Sequence, residues 1–308
     1  MTIRVIRRLF WLPFLLVIVS FVTFLLGYYG PGDPVEVRLG NKATPASVER
    51  LREEMGLDRP VLVQYGDFIR KSLKGDFGQS YSYSHLSVNQ LIWEKIWISV
   101  QLGTAAIILA IGIGIPLGLL TAFKHGTLVD TLIMGSALFL YSMPVFIAAP
   151  FLILLLALNL KLLPTSGWEG FFSLHLIMPA LVMGLPGIAG ILRLTRSSAL
   201  EVLAEDYVRT ARAKGLSEIA VQWRHVLRNA LLPIVSVLGL SLATLVEGAF
   251  ITETIFGIPG IGRLGVEAVF QRDYPVIIAL VLIIATAFAL ANLLVDILYG
   301  FLDPRIRV

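Results

Sequence analysis

Leu9–Gly32 contains no Asp, Glu, Lys or Arg, and five further stretches of at least 18 residues share that property. They are Ile96–Phe123, Thr131–Leu160, Gly170–Leu192, Asn229–Val246 and Tyr274–Val295. The hydrocarbon core of a bilayer is crossed by about 20 apolar residues in a helix. Inside it every backbone amide must find a partner within its own segment. Runs of this length in series therefore read as six transmembrane helices, an all-α integral membrane fold. Composition agrees, with 56% hydrophobic and 15% charged residues, where a soluble domain carries about 25% charged. The chain has no cysteine, which excludes disulfides, thiol catalysis and Cys-ligated metals. Its four histidines form no metal pair at helical spacing.

The first run follows a basic start (Arg4, Arg7, Arg8), as a secretory signal would. It is longer than a signal's apolar region and no small-residue cleavage pattern follows it, so it reads as a retained span. Basic residues mark the cytoplasmic side. The stretch Arg193–Arg228 holds seven bases against four acids, whereas Pro31–Lys95 balances nine against nine. Both termini and the Arg193–Arg228 loop are thus expected on the cytoplasmic face. The expected organisation is a first span over 1–30, an extracytoplasmic helical cap over 31–95, a five-helix core over 96–303 with a loop at 197–229, and a cytoplasmic tail at 304–308.

In the external segment Thr44 and Pro45 read as the N-cap and first turn of a helix that Gly56 ends, with Val48, Leu51 and Met55 on one face. A second helix starts near Pro60, turns Val61, Tyr65, Phe68 and Ile69 inward, and stops near Gly75. The spans carry Gly112, Gly114, Pro116, Gly118, Pro144, Pro150, Pro179 and Pro186, which allow close packing and kinks. No internal repeat is visible.

The stretch "EDYVRTARAKGLSEIAVQWRHVLRNALLPI" (205–234) packs eight charged residues into 205–228. Good helix formers run from Asp206 to Lys214, and Gly215 suits a left-handed helix end. Ser217 then caps a second helix whose apolar face is Ile219, Ala220, Trp223, Val226 and Leu227, and Pro233 leads into the fifth run. The charged first helix reads either as a docking element for another protein or as an interfacial helix held by anionic lipid.

This loop resembles the signature of ATP-binding-cassette importer permeases, in the dipeptide/oligopeptide/nickel branch, through "DYVRTARAKG" (206–215) and "RHVLRNALLP" (224–233). The general Glu-Ala-Ala positions hold Arg209, Thr210 and Ala211, and the Gly-to-Pro spacing is longer, both as in the peptide branch. Further collinear blocks carry the resemblance: "GLDRP" (56–60), "GDFGQSY" (75–81), "ETIFGIPGIGRL" (253–264), "RDYP" (272–275) and "NLLVDILYGFLDPRIR" (292–307). It implies a type I importer permease in a prokaryotic cell (inner) membrane, translocating di- or oligopeptides or a related small solute. Asp206, Tyr207, Arg209, Thr210, Ala211, Arg212, Lys214, Gly215 and Pro233 would then couple to a separate ATPase. Two ATP-binding subunits, a second and paralogous permease, an extracytoplasmic substrate-binding protein and membrane lipid would be the partners, with no nucleic acid. ATP and Mg would sit on the ATPase, and this chain would bind no cofactor or metal. It has no G-x-x-x-x-G-K-[ST] and no Gly-Lys pair, so it is not expected to be an enzyme.

Candidates for the pathway or its gate are Tyr141, Met143 and Phe146 in "LYSMPVF" (140–146), with core packing around a kink as the plainer reading. Glu247 reads as a pathway group or as an acid reaching the outer interface, and Glu253 as a gate-side structural group. Asp130 and Asp296 read as structural residues near span ends, in reach of water or headgroups, and His175 as a satisfied interface histidine. The rival is an ion-coupled secondary transporter, which would want a membrane-centred carboxylate and matched halves.

Overall fold

The computed structural model describes the backbone of residues 2–30, 33, 35, 39, 44–83, 86–231, 233–235, 237 and 250–302, and the side chains of those from 10 to 293. Four helices among them are long and apolar enough to cross a membrane: Phe10–Tyr28, Val88–Phe123, Leu174–Leu203 and Tyr274–Leu293. A fifth candidate is a pair, Leu128–Tyr141 and Val145–Asn159, bent by 105°. The run 229–246 lies for the most part outside the described residues. The third run is broken at the proline in "LYSMPVF". Pro144 cannot donate to the preceding turn, and it instead starts the next helix in extended conformation.

The chain forms two compact units. One comprises Met1–Ser99, Val246–Phe250 and Pro259–Val308, the other Val100–Leu245 and Ile251–Ile258. In the first unit, α1 (Thr2–Tyr28) packs along α12 (Tyr274–Leu302). The external helices α2 (Pro45–Glu54) and α3 (Val61–Ser72) stand where their caps predict. Thr44 and Ser47 cap each other, the Ser47 N–H donating to Thr44 Oγ1 at 3.3 Å and the Thr44 N–H to Ser47 Oγ at 2.8 Å. The inward face of α3 is the expected one, but it rests on the outer half of α1. The Tyr65 ring meets Phe21 edge-on at 5.0 Å, and its hydroxyl donates to the Val17 carbonyl at 3.1 Å. The core joins Val88, Leu91 and Ile92 of α4 (Val88–Phe123) to Ile261, Leu264 and Ala268 of α11 (Ile261–Gln271) and Val276, Ala279 and Leu280 of α12.

Between α11 and α12, Arg272 adopts the left-handed conformation, φ 56°, and swings Asp273 inward to 1% exposure. Its carboxylate accepts the Ser80 hydroxyl and the N–H groups of Tyr81 (3.0 Å) and Ser82 (3.2 Å). Nearby, burial and then the Glu267 carboxylate push the Tyr83 phenol above its ordinary value, so it stays a neutral donor.

The second unit holds the remainder of α4, then α5 (Leu128–Tyr141), α6 (Val145–Leu152, continuing as a π turn Ile153–Asn159), α7 (Ile177–Leu203) and the charged loop. Helices α4 and α7 meet where a side chain is missing. A Cβ on Gly118 would lie 2.6 Å from Thr195 Cβ and 2.7 Å from the Leu192 carbonyl. We expect Gly118→Ala to cost about 1–3 kcal/mol through forced separation of the helices. Gly112→Ala on the same helix, whose Cβ meets nothing within 4 Å, should be neutral. Thermal denaturation of the two purified variants beside the parent checks this.

At the end of the unit's apolar layer Asp130, 5% exposed, accepts Arg196 Nε at 2.8 Å, Arg196 Nη2 at 2.9 Å and the Gly126 N–H at 3.1 Å. The guanidinium of Arg196 is thus the partner that holds this buried carboxylate. The buried Nδ1 of His175 lies 3.4 Å from Glu169 Oε2.

Candidate functional site: the charged loop and the broken third span

Helix α7 runs to Leu203, ten residues beyond Arg193, so the charged loop starts later than the first basic residue suggests. The segment from Leu192 to Leu203 contains no glycine or proline to stop it. The next helix, α8 (Asp206–Ala213), is short for a helix in water. It holds because Val208 and Ala211 are buried against Ala122, Ala199, Val221, Val226 and Ala230. Asp206 at its start lies 3.4 Å from Arg209, and an acid there also suits the helix dipole.

Gly215 ends the helix at φ +78°, a conformation costly for any residue with a Cβ. Ser217 caps the next turn, accepting from the Ala220 N–H at 3.4 Å. Across the joint, Arg212 grips Glu218 with two N–H groups, at 2.8 and 3.3 Å. Half exposed, such a pair adds little stability, but its bidentate geometry fixes the angle between the two helices. The Tyr207 hydroxyl accepts from Asn229 Nδ2 at 2.9 Å and ties the far end.

The second loop helix, α9 (218–230), carries apolar residues both on the side packed against the protein and on its exposed side. It opens as an α turn, Glu218–Val221, passes into a π stretch, Gln222–Leu227, and returns to α at Arg228–Ala230. The wider π turn rotates the register. Val221, Val226 and Ala230 are buried, while Ile219 and Trp223 are 70% and 67% exposed. Of the nine expected coupling residues, Ala211 belongs to the packed side. Asp206, Tyr207, Arg209, Thr210, Arg212, Lys214 and Gly215 lie together on the exposed side of the loop, and Pro233 is exposed at the start of the next segment.

Tyr141 closes α5 at the 105° break, 47% exposed, and Phe146 just beyond it is 60% exposed. Met143 between them is partly buried. This chain's own core therefore takes up neither aromatic. The guanidinium carbon of Arg193 stands 5.3 Å from the centroid of the Tyr141 ring, a neighbour that the sequence reading assigned to the loop. Glu253 is fully buried in α10 (Phe250–Ile255), and its carbonyl accepts the Ile258 N–H at 2.8 Å in the turn that follows. Glu247 lies outside the described residues, as does the side chain of Asp296. Among the described residues no group of three metal-ligating side chains comes together.

Residues 114–308 match the family described as the inner membrane component of binding-protein-dependent transport systems, and residues 1–91 match the N-terminal family of such membrane components. A probable peptide ABC transporter permease of Sinorhizobium fredii is 39% identical over the full length of both chains. The dipeptide transport system permease protein of Escherichia coli is 41% identical over 94% of each chain. The oligopeptide transport system permease protein of Salmonella typhimurium is 36% identical over 96% of each. Among solved structures, a chain of the inward-facing methionine ABC transporter MetNI superposes with a TM-score of 0.54 at 18% identity. That match covers 70% of this chain and 97% of the other, a likeness of fold.

Proposed function

The chain belongs to the family of inner membrane components of binding-protein-dependent transport systems, and on that premise we propose that it is half of the pathway of an ATP-driven peptide importer. It is a multi-pass membrane permease subunit. Its substrates are di- or oligopeptides, a reading supported by near full-length relatives named for peptide transport. The other half of the pathway is a paralogous permease. Two ATP-binding subunits hold ATP and Mg, and an extracytoplasmic binding protein delivers the peptide. Both termini and the charged loop face the cytoplasm of a prokaryotic cell.

The observation that carries the coupling role is the rigid fold-back of α8 on α9. A helix transmits the closing of two ATPase domains only if it cannot swing, and here Arg212–Glu218, Tyr207–Asn229 and the buried Val208 and Ala211 prevent that. The exposed Asp206, Arg209, Thr210 and Lys214 offer polar contacts to the ATPase, and Gly215 and Pro233 set the exits. Alternating access is then a shift of population between inward- and outward-open states. Glu253, buried beside the outer-loop turn, is a structural group at the gate, and Tyr141, Met143 and Phe146 line the path.

Extraction in mild detergent from the native membrane tests this. The parent is expected to bring an ATP-binding subunit with it. Arg209→Glu/Arg212→Glu reverses the loop's charge and breaks the Glu218 grip. Gly215→Pro demands a φ near −65° where the chain takes +78°. Both variants should retain about tenfold less ATPase at equal permease yield, which corresponds to about 1.4 kcal/mol. If the parent emerges alone in every detergent, the loop is a lipid-facing element and the ion-coupled transporter gains the ground.

A further inference from the structure

Arg193 is a cation inside a candidate span. It stands roughly 15 Å before the end of α7 at about 1.5 Å per residue, within Leu174–Leu203. An arginine near a span end ordinarily reaches for the nearer aqueous face. This one cannot easily do so toward the charged loop, because helical side chains lean toward the helix N-terminus, away from that loop. Its exposed guanidinium is instead held over the Tyr141 ring. Among the described residues it makes no hydrogen bond or ion pair, in contrast to Arg196 one turn on, which Asp130 neutralises.

The second observation is the break beside it. Within a membrane an interrupted helix persists only where protein buries it or where it borders a water-filled cavity. Tyr141 and Phe146 flank the 105° break and are exposed, so this chain does not bury it. A cation with no ion pair among the described residues, at the same place, suits a wet passage better than the apolar flank of another subunit.

We propose that Arg193, backed by Tyr141, is a carboxylate-holding station on the translocation path, and that it recognises the free C-terminal carboxylate of a passing peptide. The inference rests on the peptide-permease reading. A planar guanidinium offers two parallel N–H groups that match a carboxylate. The ring face below fixes the plane of the guanidinium and leaves its edge free. Exposure keeps the grip weak enough to release, which a transport path requires and a storage site does not.

The test uses the assembled complex with its co-purified ATPase, second permease and binding protein, reconstituted in phosphatidylcholine liposomes. Import of trialanine is compared with that of trialanine amide, each at a concentration that fully loads the binding protein. The parent is expected to favour the acid about tenfold, the worth of one charge-assisted hydrogen bond in competition with water. Arg193→Gln should bring the two rates within about twofold of each other, and Arg193→Lys should keep an intermediate preference. Retention of the ATPase subunit by Arg193→Gln shows that the variant folds. The station is ruled out if Arg193→Gln keeps the parent's preference, or if it slows acid and amide equally. It is also ruled out if the preference changes only when anionic lipid is added, since a lipid phosphate then occupies the arginine. Should the parent import neither compound, the peptide-permease reading falls and takes the station with it, and the two failures are told apart by which protein is silent.

Discussion

Asp130→Ala is expected to destabilise the folded chain by about 3–5 kcal/mol, because it strands a guanidinium that has no other carboxylate among the described residues. Arg196 gives Asp130 two N–H groups, and its Nη2 also lies 2.9 Å from His125 Nδ1. Removal of the acid leaves that charge, and the Gly126 N–H, facing the end of an apolar layer. The expected fall in melting temperature is on the order of 5–10 °C. Removing both partners should hurt less than removing one. Asp130→Leu/Arg196→Met takes away the charge together with its counter-charge, and buried pairs exchanged for apolar residues of similar volume are often neutral. A thermal series of single and double variants in one detergent checks this. An Asp130→Ala variant that melts within a degree of the parent would show the pair to be incidental.

Asp273→Ala is expected to act on the other unit with nearly the same force, about 3 kcal/mol. Each buried donor left without an acceptor costs about 1–3 kcal/mol, and Asp273 serves the Ser80 hydroxyl and two backbone N–H groups. The loss would be local first. The segment 75–83 is fastened to the start of α12 through this carboxylate, so protease sites such as Lys74 should open in Asp273→Ala while the spans stay intact. Limited trypsin digestion of the intact complex, read by the size of the first fragments, distinguishes this from general unfolding. Asp273→Asn, which keeps one acceptor oxygen, should be intermediate. Equal digestion rates for parent and alanine variant would falsify the clamp.

Neither acid could be matched to its partner from the sequence. Asp130 and Arg196 are 66 positions apart, and Asp273 and Ser80 are 193 apart. Such pairs depend on how helices register once packed, and periodicity within one helix carries no trace of that. What was legible was local. Thr44 capping α2, Pro60 opening α3, the inward set Val61, Tyr65, Phe68 and Ile69, and the left-handed Gly215 all follow from residues within a turn of one another. Proline at 144 announced an interruption in the third span, but not its angle.

One difference from the structure has a specific cause. The charge on Arg193 ends an apolar run and so marks the start of a loop in the sequence, although nothing after it stops a helix. The π stretch Gln222–Leu227 and the burial of Val221 and Ala230 beside Val226 had no sign in the spacing. The coupling residues were found through a resemblance of motif. The physical reason that the loop is stiff, the Arg212–Glu218 grip over a glycine joint, appears only in the fold.

The packing of α1 on α12 also sets a schedule for biosynthesis. The first unit draws on Met1–Ser99 and then only on Val246–Phe250 and Pro259–Val308. Its earliest span therefore enters the bilayer with its eventual neighbour still untranslated. At about 5–20 residues per second, the intervening stretch keeps α1 without that neighbour for roughly ten seconds or more. Through that interval the helix must be tolerated by lipid, or by insertion factors, as a solitary segment. Its exposed face of Phe10, Trp11, Phe14 and Leu15 suits such a wait.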